Sequence, residues 1–286
     1  MLEINKIYNM DCLEGMKRIP NGFVDLTVTS PPYDNLRTYN GNISQWSFAK
    51  FQGIVKELYR VTKQGGVVVW VVGDATIKGS ETGTSFRQAL FFMECGFRLH
   101  DTMIYAKNNP VPLTHNRYEQ QFEYMFVLSK GRPKTFNGLM RVNKYAGRAE
   151  SGTFRHDGEV LTNRNTSGKT RKQSLRRNIW YYSVGKNSST RDEIAHKHPA
   201  IFPEQLAQDH IISWSNEGDL VLDPFMGSGT TAKMAKLNNR NYIGFELSEE
   251  YCKIANERIS KTQPIVVKDE KPQDKSDWLD KLLEVM

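Results

Sequence analysis

Residues 219–231 read DLVLDPFMGSGTT. An apolar run, a proline, two glycines one residue apart and a helix-forming stretch describe a strand that stops abruptly, turns on small residues and opens a helix. Glycines at such a turn let a ligand approach the backbone, and the free N–H groups at the helix start attract negative charge. The spacing is neither the GxxxxGK[ST] of a phosphate-cradling loop nor GxGxxG. The next apolar stretch, NYIGFEL (241–247), ends with Glu246, about 17 residues after Gly229. An acid at that strand end can accept hydrogen bonds from ribose hydroxyls, or serve as a helix-start charge.

Outward from this turn the same alternation repeats. FPEQLAQDHIISWS (202–215) and SEEYCKIANERIS (248–260) read as helices on either side of it. Near the start, residues 22–30 form an apolar run that ends in Ser30-Pro31-Pro32-Tyr33, a second stiff strand exit, because each proline fixes its own φ and extends the residue before it. In SFAKFQGIVKELYRVTK, Phe48, Phe51, Val55, Leu58 and Tyr59 recur at helical spacing. VVVWVVGD (67–74) is a β-branched run suited to a strand covered on both faces. A helix over 84–95 and strands over 98–107 and 122–129 continue the pattern. The expectation is an α/β fold with a mostly parallel sheet and helices on both faces.

After Gly131 the pattern dissolves. Between Lys130 and Arg191 there are 15 Lys and Arg against 3 Asp and Glu, whereas the rest of the chain has 24 basic and 29 acidic residues. A formal net charge of +7 therefore hides one segment built for a polyanion within a mildly acidic protein. Its centre is NRNTSGKTRKQSLRR, with Lys169, Arg171, Lys172, Arg176 and Arg177, followed by the aromatic cluster IWYYSV. The expected organisation is 1–130 and 196–262 as two halves of one α/β domain, 131–195 as an inserted basic region, and 263–286 as a polar tail. No signal-peptide pattern or bilayer-length apolar run is evident, so a cytoplasmic location is expected, with no membrane partner. Three cysteines without CxxC spacing suggest neither a disulfide framework nor a zinc site, and no metal is expected.

The two stiff turns together resemble the S-adenosylmethionine-dependent DNA amino-methyltransferases. The fold this resemblance implies is a Rossmann-like methyltransferase sheet with a target-recognition region inserted at 131–195. The catalytic turn, the basic segment and the cofactor turn follow one another in the circularly permuted order of the family's β group. The resemblance implies that Asp223, Pro224, Phe225, Gly227, Ser228, Gly229 and Thr230 hold the methionine end of S-adenosylmethionine, and that Glu246 with Leu247 holds its ribose. NMDCLEGM resembles the segment whose acid reaches the adenine, which marks Asp11 and Cys12; a plain helix N-cap is the other reading of Asp11. Tyr105-Ala-Lys107, Glu123 within YEQQFEYMFVLSKG, and HPAIFPEQL are further matches.

In that family the proline turn holds the target base. An exocyclic amine is a poor nucleophile because its lone pair is conjugated into the ring, and acceptors aimed at its two protons favour the tetrahedral shape needed for attack. Ser30 Oγ and the Pro31 carbonyl are the proposed acceptors, Pro32 stiffens the turn, and Tyr33 offers a face to a base flipped out of duplex DNA. Asp74 is a candidate second polar group, or a cap at the end of its strand. Carbon-5 methylation of cytosine is disfavoured, since no cysteine follows a proline in a comparable turn. The expectation is an N4-cytosine methyltransferase acting on double-stranded DNA. An N6-adenine enzyme and a non-catalytic DNA-binding protein are the alternatives. The resemblance implies a restriction–modification context with a separate restriction endonuclease as a candidate partner, and the chain is expected to be a monomer or homodimer.

Overall fold

The structure is a computed structural model that describes residues 2–32, 46–110, 117–149, 153–156, 160–163 and 169–264. In chain order its elements are β1 (Lys6–Asn9), α1 (Cys12–Met16), β2 (Val24–Thr29), α2 (Phe48–Val61), β3 (Thr62–Val72), the short pair β4 (Thr76–Ile77) and β5 (Ser80–Glu81), and α3 (Thr84–Glu94). There follow β6 (Arg98–Lys107), β7 (Phe122–Ser129), β8 (Met140–Val142), β9 (Thr153–His156), β10 (Val160–Asn163), β11 (Gln173–Leu175) and β12 (Ile179–Tyr182). A 3-10 turn at Glu193–Lys197 leads to α4 (Glu204–Trp214), β13 (Leu220–Asp223), α5 (Thr230–Leu237), β14 (Asn241–Glu246) and α6 (Glu249–Ser260).

Eight strands form one sheet in the order β1-β14-β13-β2-β3-β7-β6-β12. All pairings are parallel except those of β7, which is antiparallel to both β3 and β6. The continuous apolar run in β3 follows from burial on both faces. Val67, Val69 and Val71 join a core with α4, α5 and α6, while Val68, Trp70 and Val72 join a second core with α1, α2 and α3. The expected mostly parallel sheet, wrapped on both faces, is thus present. Among the described residues no helix is long and apolar enough to cross a membrane.

Three features differ from the sequence expectation. β1 adds an edge strand beside β14, with only Ile7 buried, too little apolar signal to announce itself. β7 runs against its neighbours, which a strand count cannot reveal. The IWYY cluster is β12, paired with β6, with Trp180 and Tyr182 inward and Ile179 and Tyr181 outward. The basic segment is therefore shorter than 131–195 as an insertion, because its last part completes the central sheet. Arg176, counted with the basic residues, is likewise committed to the fold. Its guanidinium pairs with the buried Asp209 of α4 at 2.7 Å and lies over the Trp180 ring at 4.5 Å. The expected polar tail lies outside the described residues from position 265 onward.

Candidate active site

Between β13 and β2 the winding of the sheet changes direction. β2 leads through α2 to β3 on one side, and β13 leads through α5 to β14 on the other. Such a switch point leaves a crevice at the carboxyl ends of the strands, where α/β proteins bind ligands. Both stiff exits open there. They are joined directly, since Thr29 Oγ1, one residue before Ser30, donates to Asp223 Oδ1 at 2.6 Å. Asp223 also accepts from the Phe225 N–H at 3.0 Å. Burial pushes its carboxyl up to about 6, against the lowering effect of these donors.

The cleft at this edge holds about 720 Å³, a volume that suits a nucleotide-sized ligand. Of the residues expected from the sequence, Asp11, Cys12, Ser30, Pro32, Asp223, Pro224, Phe225, Gly227, Ser228, Thr230, Glu246 and Leu247 line it. Pro31 and Gly229 are buried and do not line it. Tyr33 lies outside the described residues, as does the loop after it. Lys169, Arg171, Lys172 and Arg177 are exposed and lie away from the cleft lining.

Glycine is required twice in the turn. Gly227 has φ +50°, and a Cβ there would stand 3.0 Å from His198 Nε2. At Gly229, φ is +84° and a Cβ would meet that of Ala255 at 2.7 Å, so α6 can pack this close only against glycine. Glu246 spans the turn and the start of α6, accepting from the Gly227 N–H and the Ser248 N–H, each at 2.8 Å. Burial raises its carboxyl above the ordinary value, partly opposed by these N–H donors.

On the opposite side, Asp11 caps α1 through the Leu13 N–H at 2.8 Å and pairs with Lys50 of α2 at 2.7 Å. Burial raises its carboxyl, but the Lys50 hydrogen bond and the backbone donors hold it below the ordinary range. The N-cap reading of Asp11 is thus realised, and the same residue lines the cleft. Phe225 packs edge-on against Trp46, with centroids 5.5 Å apart, giving an aromatic wall nearby. Cys12 also lines the cleft, and burial pushes its thiol up to about 12. It is not a thiolate near neutral pH, which leaves it unfit for the covalent chemistry of carbon-5 methylation.

Asp74 departs from the expected role at the base. It does not line the cleft. Its carboxylate accepts from the Ser85 N–H at 2.9 Å, from Ser85 Oγ at 2.5 Å and from Thr82 Oγ1 at 3.3 Å. Gly83, at the N-cap of α3, has no side chain to offer, so Asp74 caps that helix from the end of β3. Replacing Asp74 by alanine should therefore cost about 1–2 kcal/mol in a urea unfolding titration while turnover per folded molecule stays within about twofold. A large loss of turnover in fully folded protein would return Asp74 to the site.

The reversed β7 brings a pair for which the sequence reading offered no role. Its first residues lie at the same edge as the ends of β3 and β6, and Glu123 there pairs with Lys107 at 2.7 Å, both lining the cleft beside Tyr105. Burial raises the Tyr105 phenol well above its ordinary value, so it stays protonated. His196, His198 and Tyr251 complete the other end, with the His198 and Tyr251 rings 4.4 Å apart.

The family model for N6/N4 DNA methylases matches residues 24–257. The orphan methyltransferase M.BamHII of Bacillus amyloliquefaciens is 61% identical over 240 residues, covering 82% of this chain and 88% of that protein. The type II methyltransferase M.BglII of Bacillus subtilis is 28% identical over 260 residues, or 90% of this chain and 69% of that one. Among solved structures, the PvuII cytosine-N4-specific DNA methyltransferase shares the fold at 22% identity and a TM-score of 0.66, covering 98% of this chain and 92% of that one. M1.HpyAVI, solved as a complex with S-adenosylmethionine, aligns at 25% identity and a TM-score of 0.58 over 89% of this chain and 98% of that one. Matched over most of its length by sequence and by fold, the chain belongs to the N6/N4 DNA methylase family, the S-adenosylmethionine-dependent methyltransferases that act on DNA.

Proposed function

We propose that the protein methylates the exocyclic N4 of cytosine in double-stranded DNA. The observation that carries this reading is a neutral serine, Ser30, on a proline-stiffened turn in the same cleft as the glycine turn and Glu246. Three features of the cleft suit the cofactor: left-handed backbone at Gly227, where a Cβ would crowd His198, an acid bonded to that turn, and a second acid and an aromatic pair on the same lining. Gly227 and Ser228 would hold its methionine end, Glu246 its ribose, and Asp11 with Phe225 and Trp46 its adenine. Bound there, S-adenosylmethionine supplies an electrophilic methyl group on a sulfonium centre.

The chain's own residues do the rest. Ser30 Oγ, on the cleft lining, accepts from one amine proton of the flipped base, and the carbonyl of the buried Pro31 beside it would have to take the other; together they would favour the tetrahedral nitrogen as positive charge develops. A serine hydroxyl can also donate to the ring acceptor beside the amine, N3 in cytosine, while accepting from the amine itself. The prolines and the Thr29–Asp223 hydrogen bond keep these acceptors from relaxing away as the charge forms. Lys107 and Glu123 stand beyond Ser30 on the base side, where the sheet continues to β7 and β6. Nucleoside mass spectrometry of DNA treated with the protein tests the reading: N4-methylcytosine supports it, and N6-methyladenine replaces it with the adenine alternative.

The basic segment is assigned to DNA recognition, with Lys169, Arg171, Lys172 and Arg177 as phosphate partners. All four are exposed, unlike Arg176 with its buried acidic partner. Neutralising the four should flatten the slope of log affinity against log salt by about 0.9 for each phosphate no longer neutralised, with cofactor affinity unchanged. A titration across salt concentrations checks this, and an unchanged slope would make the four a solvated surface. Replacing Arg176 alone should lower stability rather than this slope.

A further inference from the structure

Arg258 of α6 has a fully buried side chain, yet it does not line the cleft. Its Nη1 donates to the Ser228 carbonyl at 2.6 Å and approaches Ser228 Oγ at 3.1 Å and Thr230 Oγ1 at 3.2 Å, all in the glycine turn. Its Nε donates to Asp192 at 2.9 Å, and its Nη2 to Glu204 at 2.7 Å and Thr190 Oγ1 at 3.4 Å. Those three residues belong to the stretch that leads from β12 into α4. Residues 189, 196 and 198–203 of that stretch line the cleft opposite the turn.

The surroundings keep the guanidinium in place. Lys233 of α5 pairs with the same two acids, at 2.7 Å to each, and Glu204 also accepts from Thr190 Oγ1 at 2.7 Å. Burial would raise the Asp192 carboxyl, but Lys233 and Arg258 hold it below its ordinary value. A planar guanidinium carries five N–H donors in a fixed fork, so it can bond a carbonyl on one segment and two carboxylates on another at once while keeping their relative orientation. The turn takes left-handed backbone at Gly227 and Gly229, and glycine reaches other conformations just as freely, so contacts from outside the turn select this shape.

We propose that Arg258 is the positioning residue of the cofactor site: it fixes the glycine turn against the 189–203 wall, so cofactor affinity depends on a guanidinium that does not touch the cofactor. This rests on the reading of the glycine turn as the cofactor turn. Arg258→Lys keeps the charge and loses the fork, leaving the turn or the wall unheld. Asp192→Asn removes one anchor on the wall side without touching the turn.

The test compares folded Arg258→Lys and Asp192→Asn with Glu246→Ala, measuring S-adenosylmethionine affinity by calorimetry, DNA affinity without cofactor, and kcat at saturating cofactor. Arg258→Lys should weaken cofactor binding by about tenfold or more while DNA affinity stays within about twofold and kcat within about threefold, and Asp192→Asn should weaken cofactor binding by about threefold. Should Arg258→Lys fail to fold, Asp192→Asn alone decides. Parent-like cofactor affinity in the folded variants, beside a loss in Glu246→Ala, overturns the positioning role and leaves the turn's assignment standing. Proportional loss of all three quantities overturns it too, as general structural support. Unchanged affinity in Glu246→Ala as well would overturn the cofactor turn itself.

Discussion

Replacing Ser30 by alanine should lower turnover by about two orders of magnitude or more and leave S-adenosylmethionine affinity within about threefold. The asymmetry follows from where the hydroxyl stands. Ser30 lines the cleft at the end of β2, one strand from the glycine turn, and the turn's backbone is held by two prolines and by Thr29 bonded to Asp223. Losing one hydroxyl therefore leaves the cofactor wall in place. What disappears is an acceptor whose bond strengthens as the amine becomes tetrahedral and positive, so the cost falls on the transition state. Single-turnover kinetics and calorimetry on the same preparation separate the two quantities. Equal losses in both would mean that Ser30 is structural.

Glu246→Ala should do the reverse and weaken cofactor binding by about 2–4 kcal/mol, from charged hydrogen bonds worth about 1.5–3 kcal/mol each, less partial replacement by water. Each carboxylate oxygen already accepts one backbone N–H, from Gly227 or Ser248, and an oxygen has capacity for a second donor. The substitution thus removes the acceptors proposed for the ribose and unties the turn from the start of α6. Glu246→Gln separates these effects, since its amide keeps one oxygen for an N–H but presents a donor where the second carboxylate oxygen stood. Calorimetry showing parent-like affinity for both variants would rule out the assignment.

Much of this site was legible in the sequence because its parts are local. A strand that ends in Asp223-Pro224, glycines at 227 and 229 and an acid after the next strand each declare themselves by composition and spacing. β2 and β3 declare themselves as apolar runs, and α2 and α4 through α6 as helix-forming stretches with recurring apolar residues. What escaped the sequence depends on partners far along the chain. Arg176 reads as one more basic residue until Asp209, 33 positions on, is found beside it. Asp74 at a strand end could face the cleft or cap a helix, and only the entry of α3 at a glycine decides. Glu123 reaches the cleft because β7 runs backward, and Lys50 meets Asp11 only once α2 packs against α1. The run of β-branched and aromatic residues in IWYY was a usable strand signal, hidden by the basic residues before it.

The central claim, methyl transfer to the amine of cytosine at a serine-proline turn, is tested most directly by incubating duplex DNA with the protein and isotopically labelled S-adenosylmethionine, then digesting it to nucleosides for mass spectrometry. The account predicts label in N4-methylcytosine, absent when Ser30 is alanine. Label in N6-methyladenine, or an unlabelled digest from protein that binds both cofactor and DNA, would contradict it.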